Sequence, residues 1–222
     1  MAWLEFLASC MLFIASHSIL LRPAIKQQLV QSLGQRVFTF AYSALSIAIL
    51  IWVISAAGRA PYVELWAWGP WQNLVPVFGM LISVAILSLS IGRPNPFSFG
   101  GSTTMKFNSQ EPGLVKFTRH PLLLALSIWA FTHIVPNGNL AHVLLFGGFG
   151  LFALVGMKAI DARKKRELGD TQRHELLIKC RTSGPGPGLP LRMATGRLTA
   201  GFFLYIGLLY SHGWLIGVSP LG

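Results

Sequence analysis

Six histidines punctuate this chain, and four of them, His17, His120, His133 and His142, fall in or beside apolar stretches. An ionisable side chain in such a stretch is costly to keep there, so it usually faces a partner, a cavity or a cofactor. The helical neighbours of His17 are Phe13, Ile14, Leu20 and Leu21, none of which can neutralise an imidazolium or accept its proton. Its partner must come from another helix, either as a carbonyl joined to the imidazole across a helix pair or as a ligand. His120 stands in Thr118-Arg119-His120-Pro121, where proline suits a first helical turn and Arg119 is placed to meet an anion. A helix start with interfacial cations accounts for that motif equally well. His133 follows Trp129 by one turn and precedes Pro136-Asn137-Gly138, which must end its helix. The helix dipole there favours a protonated ring, whereas a metal would take the neutral one. His174 lies in a basic segment and His212 in the last apolar stretch.

The remaining metal-binding residue types narrow the chemistry. Cys10 and Cys180 are far apart with no CxxC, so neither a disulfide framework nor a thiolate site is indicated. A di-iron bundle needs glutamates on several helices, and the one acid near an apolar interior is Glu5. Zinc wants four ligands or three plus water, and no local cluster supplies them. Two axial imidazoles holding a haem between helices use what is present, with Arg22 and Arg119 placed to pair with its propionates.

The elements that must position these residues are membrane helices. Apolar residues make up 53% of the 222-residue chain and charged residues 11%, less than half the usual share of a soluble domain. So few charges cannot cover a water-facing surface, and 12% aromatic residues exclude a disordered polymer. Residues 2–21, 37–57, 74–92, 139–157 and 198–218 are each long enough for a ~30 Å hydrocarbon core. A sixth run, 121–135, is short and spans if its helix begins a turn earlier, near Leu114 to Phe117. Every Lys and Arg except Arg59 then falls on alternate loops, the positive-inside pattern. The expected fold is an all-α integral membrane bundle of about six transmembrane helices, with both termini on the non-cytoplasmic side. The net charge of +11 is thereby explained without nucleic acid. Glu5 and the lack of a basic n-region argue against a cleaved secretory signal, so the first run is expected to be an uncleaved helix. The Trp-rich connection 62–71 belongs at the outer interface. Residues 158–183 read as a basic helix lying along the inner surface, and 184–190 (GPGPGLP) as a flexible connector, within a basic segment 158–197.

These features together resemble the NnrU family of membrane proteins. The likeness is carried by Ser16-His17 with Arg22, Leu33-Gly34-Gln35-Arg36, Tyr42-Ser43, Asn95-Pro96 and Thr118-Arg119-His120-Pro121. It continues through Trp129, His133, Asn137-Gly138, Ile160-Asp161-Ala162-Arg163, Leu168-Gly169 and Arg181-Thr182-Ser183. It is strongest over residues 10–183 of a single domain spanning 1–222. The family is named for an association with nitrite and nitric oxide reduction in denitrifying bacteria, and it includes the plant zeta-carotene isomerase, which carries haem b. The resemblance implies haem b here with His17 and His133 as axial ligands and His120 as a nearby third histidine. Depth along the helices would instead pair His17 with His120, since His133 lies ~20 Å further along a straight helix. Two departures stand out: Ala130 replaces a cysteine that the plant enzyme has three residues before its second histidine, and Gly184-Pro185-Gly186 replaces the usual Pro-Phe.

The resemblance implies a multi-pass protein of the bacterial inner membrane whose partners are the bilayer and either nitric oxide or a lipophilic polyene undergoing cis–trans isomerisation. The same RHP-plus-span pattern also resembles the isoprenylcysteine carboxyl methyltransferases, which use S-adenosylmethionine. That family expects consecutive acids where this chain has Asp161-Ala162-Arg163-Lys164-Lys165-Arg166-Glu167. A non-enzymatic membrane assembly factor is the third alternative. Substrate, redox partner and oligomeric state are not readable from the residues.

Overall fold

The computed structural model describes residues 1–101, 105–184 and 188–221, so Pro185-Gly186-Pro187 of the connector lie outside the described residues. Among the described residues, eight α-helices account for the architecture: α1 Ala2–Ile19, α2 Pro23–Leu33, α3 Gln35–Arg59, α4 Leu74–Ser90, α5 Pro121–Ile134, α6 Leu140–Leu168, α7 Asp170–Thr182 and α8 Leu191–Ile216. Short 3-10 turns occupy Pro70–Asn73 and Gly113–Lys116. No strand occurs among the described residues, and one isolated bridge joins Glu64 and Asn139. Five helical stretches among the described residues are long and apolar enough to cross a membrane: Ala2–Ile19, Gln35–Arg59, Pro70–Ser90, Leu140–Leu168 and Leu191–Ile216. The apolar α5 is shorter, at 14 residues or ~21 Å.

Three sequence expectations change. The helix of the sixth apolar run starts at Pro121 rather than near Leu114, because the residue before a proline is driven off the α conformation and His120 sits at φ −122, ψ 59. Of the basic stretch 158–183, residues 158–168 form no separate surface helix but continue α6, and only 170–182 form a helix of their own, α7. Nothing between Met157 and Leu168 breaks a helix, and Lys, Arg and Glu are good helix formers, so α6 runs on for 29 residues. Residues 23–33 form α2, opened by Pro23, where the sequence reading had only a loop. Gly34 and Gly169 end these two helices and start the next, each at φ near +80 and ψ near 153, a region open in practice only to glycine.

The chain divides into two compact units, residues 1–67 with 138–145 and residues 68–137 with 146–222. In the first, α1 and α2 pack on α3, with Phe6, Phe38, Ile49, Val53 and Ala56 buried. Glu5 of α1 pairs with Arg59 of α3 and accepts a hydrogen bond from Trp52 Nε1 at 3.1 Å. The two charges that break the pattern of the apolar runs and basic loops thus satisfy each other. The connection after α3 is hydrogen-bonded to the segment after α5: Leu65 N donates to Gly138 O at 2.7 Å and Leu140 N to Val63 O at 2.9 Å.

In the second unit α4 packs against α5 and α8. Hydrophobic burial is a weak force between helices in lipid, so close packing of small residues and interhelical hydrogen bonds hold them together. Gly79 sits directly against Thr132, Gly201 against Ser88, and Ser83 Oγ donates to Ala125 O at 2.7 Å. Large apolar side chains such as Phe78, Phe203 and Trp214 point outward. A small separate core of Phe97, Val115 and Cys180, with Phe107, Leu176 and Leu177, underlies the polar end of this unit.

Candidate functional site

His17 occupies the last turn of α1 in the first unit. Its Nδ1 lies 2.9 Å from the Phe13 carbonyl, one turn back, with Ser16 Oγ at 3.2 Å. A carbonyl oxygen can only accept, so Nδ1 carries the hydrogen and the lone pair of the neutral ring belongs to Nε2. The ring lies on Phe13, with centroids 4.3 Å apart, and meets Tyr42 of α3 edge-on at 5.8 Å. The Tyr42 hydroxyl is buried beside Ser46, one turn further along α3. Arg22, at the N-cap of α2, is exposed in the same unit.

His133 repeats the arrangement in the second unit. Its Nδ1 donates to the Trp129 carbonyl at 2.7 Å, again one turn back, which leaves Nε2 as the lone-pair nitrogen. Trp129, at 5.6 Å, and Phe146, at 5.2 Å and tilted by 34°, box the ring. Asn137 Nδ2 closes the helix end by donating to His133 O at 2.7 Å. Histidines that bind metals commonly donate the other ring N–H to a carbonyl, which fixes tautomer and orientation. Both rings have that form. Each is therefore the kind of donor that would suit a haem iron.

His120 is a different kind of histidine. It is buried, its Nδ1 lies 3.0 Å from Ser98 Oγ, and its Nε2 stands 3.2 Å from Asp161 Oδ1 at an angle that makes no hydrogen bond. Burial pushes its pKa below the ordinary histidine value, and the Asp161 carboxylate offsets this only in part. With a protein group at each nitrogen it is the least suited of the three to hold a metal. Ser98, His120 and Asp161 look like a nucleophile, base and orienting acid, but the serine attaches to the opposite side of the ring from the open cleft described below and does not line it. It positions the ring.

Asp161 is the centre of the polar site. Arg119 grips it bidentately, Nε to Oδ1 at 3.0 Å and Nη2 to Oδ2 at 2.6 Å, and Arg173 Nη2 reaches Oδ1 at 2.7 Å. The three come from the loop before α5, from the extension of α6, and from α7, which the Gly169 break turns back. Asn95 Nδ2 donates to Arg119 O at 3.0 Å while its Oδ1 accepts from Phe97 N at 2.9 Å, tying the long loop to the same place. Beside the ion cluster lies a cleft of about 440 Å³ whose walls include Phe117, Leu154, Met157 and Leu177 and whose polar lining includes Lys158 and Arg181.

Arg119 and His120 are thus brought together, in a cluster with Asp161 and Arg173 that sequence reasoning missed. One clue was available, since Asp161 is the one acid between Lys158 and Arg166 and a lone carboxylate among cations is expected to be paired. Arg119 is engaged by Asp161, so a propionate would have to compete for it. His133 sits at the opposite end of α5 from His120, and His17 and Arg22 belong to the other unit.

A family model described as NnrU protein matches residues 5–220, nearly the whole chain and well past the departure at Gly184. No curated protein matches the chain, and no solved structure does.

Proposed function

Since the chain belongs to the NnrU family, we propose that it is a multi-pass membrane protein holding haem b through His17 and His133. The observation that carries this reading is the shared ring state: in both residues Nδ1 is tied to a carbonyl one turn back, which presents Nε2 as the ligand. When bound, the haem would supply a redox-active iron, suited to binding nitric oxide or to isomerising a lipophilic polyene. The chain's own part is to fix the two imidazoles, to exclude water with Phe13, Trp129 and Phe146, and to offer the Tyr42 hydroxyl beside His17. The test is the absorbance spectrum of the detergent-purified protein, oxidised and then reduced. A low-spin b-type spectrum in both states is expected, and a colourless protein after growth with haem supplied would overturn the reading.

Six crossings with both termini outside the cytoplasm form part of the same proposal, in the inner membrane of a bacterium. The hydrogen bonds that join the connections following α3 and α5 support it, because they favour placing both on one side. A crossing as short as α5 is accommodated by local thinning and by the loop that precedes it. The methyl-transfer alternative has a cleft beside its RHP motif but lacks the carboxylates, since Asp161 is held by two arginines.

A further inference from the structure

Beside the Arg119–Asp161–Arg173 cluster, Lys158 and Arg181 line the same cleft, and their side chains have no ion-pair or hydrogen-bond partner among the described residues. Asp161 is the cleft's one acid and is already shared between two guanidinium groups, so the lining keeps a net positive charge. His120, also in the lining, is held between Ser98 and Asp161. Lys116, which donates to the Ser183 and Gly184 carbonyls, and Thr118 complete the polar lining; the remainder is apolar, and much of it lies open: Phe117 is 67% exposed and Leu154 40%. Leu154 and Met157 belong to the last apolar turn of α6 and Lys158 to the first basic one, so the cleft straddles the depth at which hydrocarbon gives way to headgroups.

Cations at one end of a cleft and bare aliphatic and aromatic surface at the other complement a molecule with an anionic head and an oily tail. We propose that this cleft is a discrete site for an anionic glycerophospholipid of the surrounding bilayer. Lys158 and Arg181 contact the phosphate, and an acyl chain lies along Leu154, Met157 and Phe117. Arg119, Asp161 and Arg173 form its rigid floor. The site uses neither haem nor the two axial histidines, so a protein without haem still carries it.

Native mass spectrometry of the purified chain in a neutral detergent tests this, with phosphatidylglycerol, phosphatidylcholine of the same acyl chains, and inorganic phosphate as probes. One phosphatidylglycerol is expected to be retained, at least about tenfold more tightly than phosphatidylcholine. Lys158→Gln/Arg181→Gln should abolish that preference. Arg166→Gln/Lys179→Gln removes the same charge from the same two helices outside the cleft and should leave it intact. All four side chains project from helix surfaces, and unchanged circular dichroism confirms that the folds compare. Equal retention of phosphatidylcholine, equal loss in the second double variant, or displacement of the lipid by inorganic phosphate at comparable concentration would each overturn the proposal.

Discussion

The histidines of the apolar helices and the histidine of the polar cleft are one residue type under two regimes. His17 and His133 are each anchored by their own helix, through the carbonyl one turn back, and are walled by aromatic rings. His120 is anchored by distant residues, Ser98 on the long loop and Asp161 on α6. A local anchor survives anywhere an α-helix persists and fixes which ring nitrogen carries the hydrogen. The long-range anchor exists only in the assembled fold and involves both nitrogens. The contrast separates a ring held by its own helix from a ring held by packing, without reference to how deep either residue lies.

The sharpest way to break the contrast is by substitution of each ring. His17→Ala and His133→Ala are each expected to abolish the low-spin haem spectrum, whereas His120→Ala leaves it detectable. Full haem retention in His133→Ala would show that the assignment drawn from the family is wrong. Next in size is Asp161→Ala, which leaves the Arg119 and Arg173 guanidinium groups facing each other. Fully buried pairs cost roughly 3–5 kcal/mol to break, and partial exposure of this cluster reduces the expected loss to about 2 kcal/mol. Thermal unfolding in detergent measures it, and haem absorbance per folded protein should be unchanged. If the spectrum vanished while the fold held, the two regions would be one site.

Gly169→Ala and Gly34→Ala compare the two breaks. Each forces a side chain into a conformation that costs about 1–3 kcal/mol. Only the first displaces α7, so only the first should expose Cys180, now buried against Phe97 and Val115, to thiol reagents. Equal labelling of the two variants would deny α7 its role in closing the polar end.

The smallest effect is a pH dependence. Burial keeps folded His120 neutral at pH values where the unfolded chain would protonate it. The unfolded state then binds more protons, so the stability His120 contributes is complete above about pH 6.5 and declines as the medium is acidified. The difference in Tm between the parent protein and His120→Gln should therefore shrink from pH 7.5 to 5.5. A difference that grew on acidification would mean that the ring is protonated in the folded state and paired with Asp161 as an ion.

The membrane helices were legible because their cause is local. An apolar run of sufficient length has one way to satisfy its backbone in lipid, and the runs at 2–21, 37–57, 74–92 and 198–218 became helices within a few residues of those bounds, α8 beginning earlier. Where helix α5 begins was less legible, since an apolar run does not say where helix starts, although Pro121 does once its effect on His120 is considered. The polar site was half legible. Arg119 and His120 stood out as a motif, but their partners did not, since Asp161 is 42 residues from Arg119 and reaches it only because α5 and α6 return side by side.

Hydropathy and charge placement by themselves determined that this chain is a helical membrane protein with imidazoles inside its helices, because each of those features acts over a turn or two of backbone. Only the tertiary structure decided which imidazole each neighbour binds. A carbonyl one turn away is set by the helix, whereas a carboxylate on another helix is set by packing, and packing depends on every residue between them.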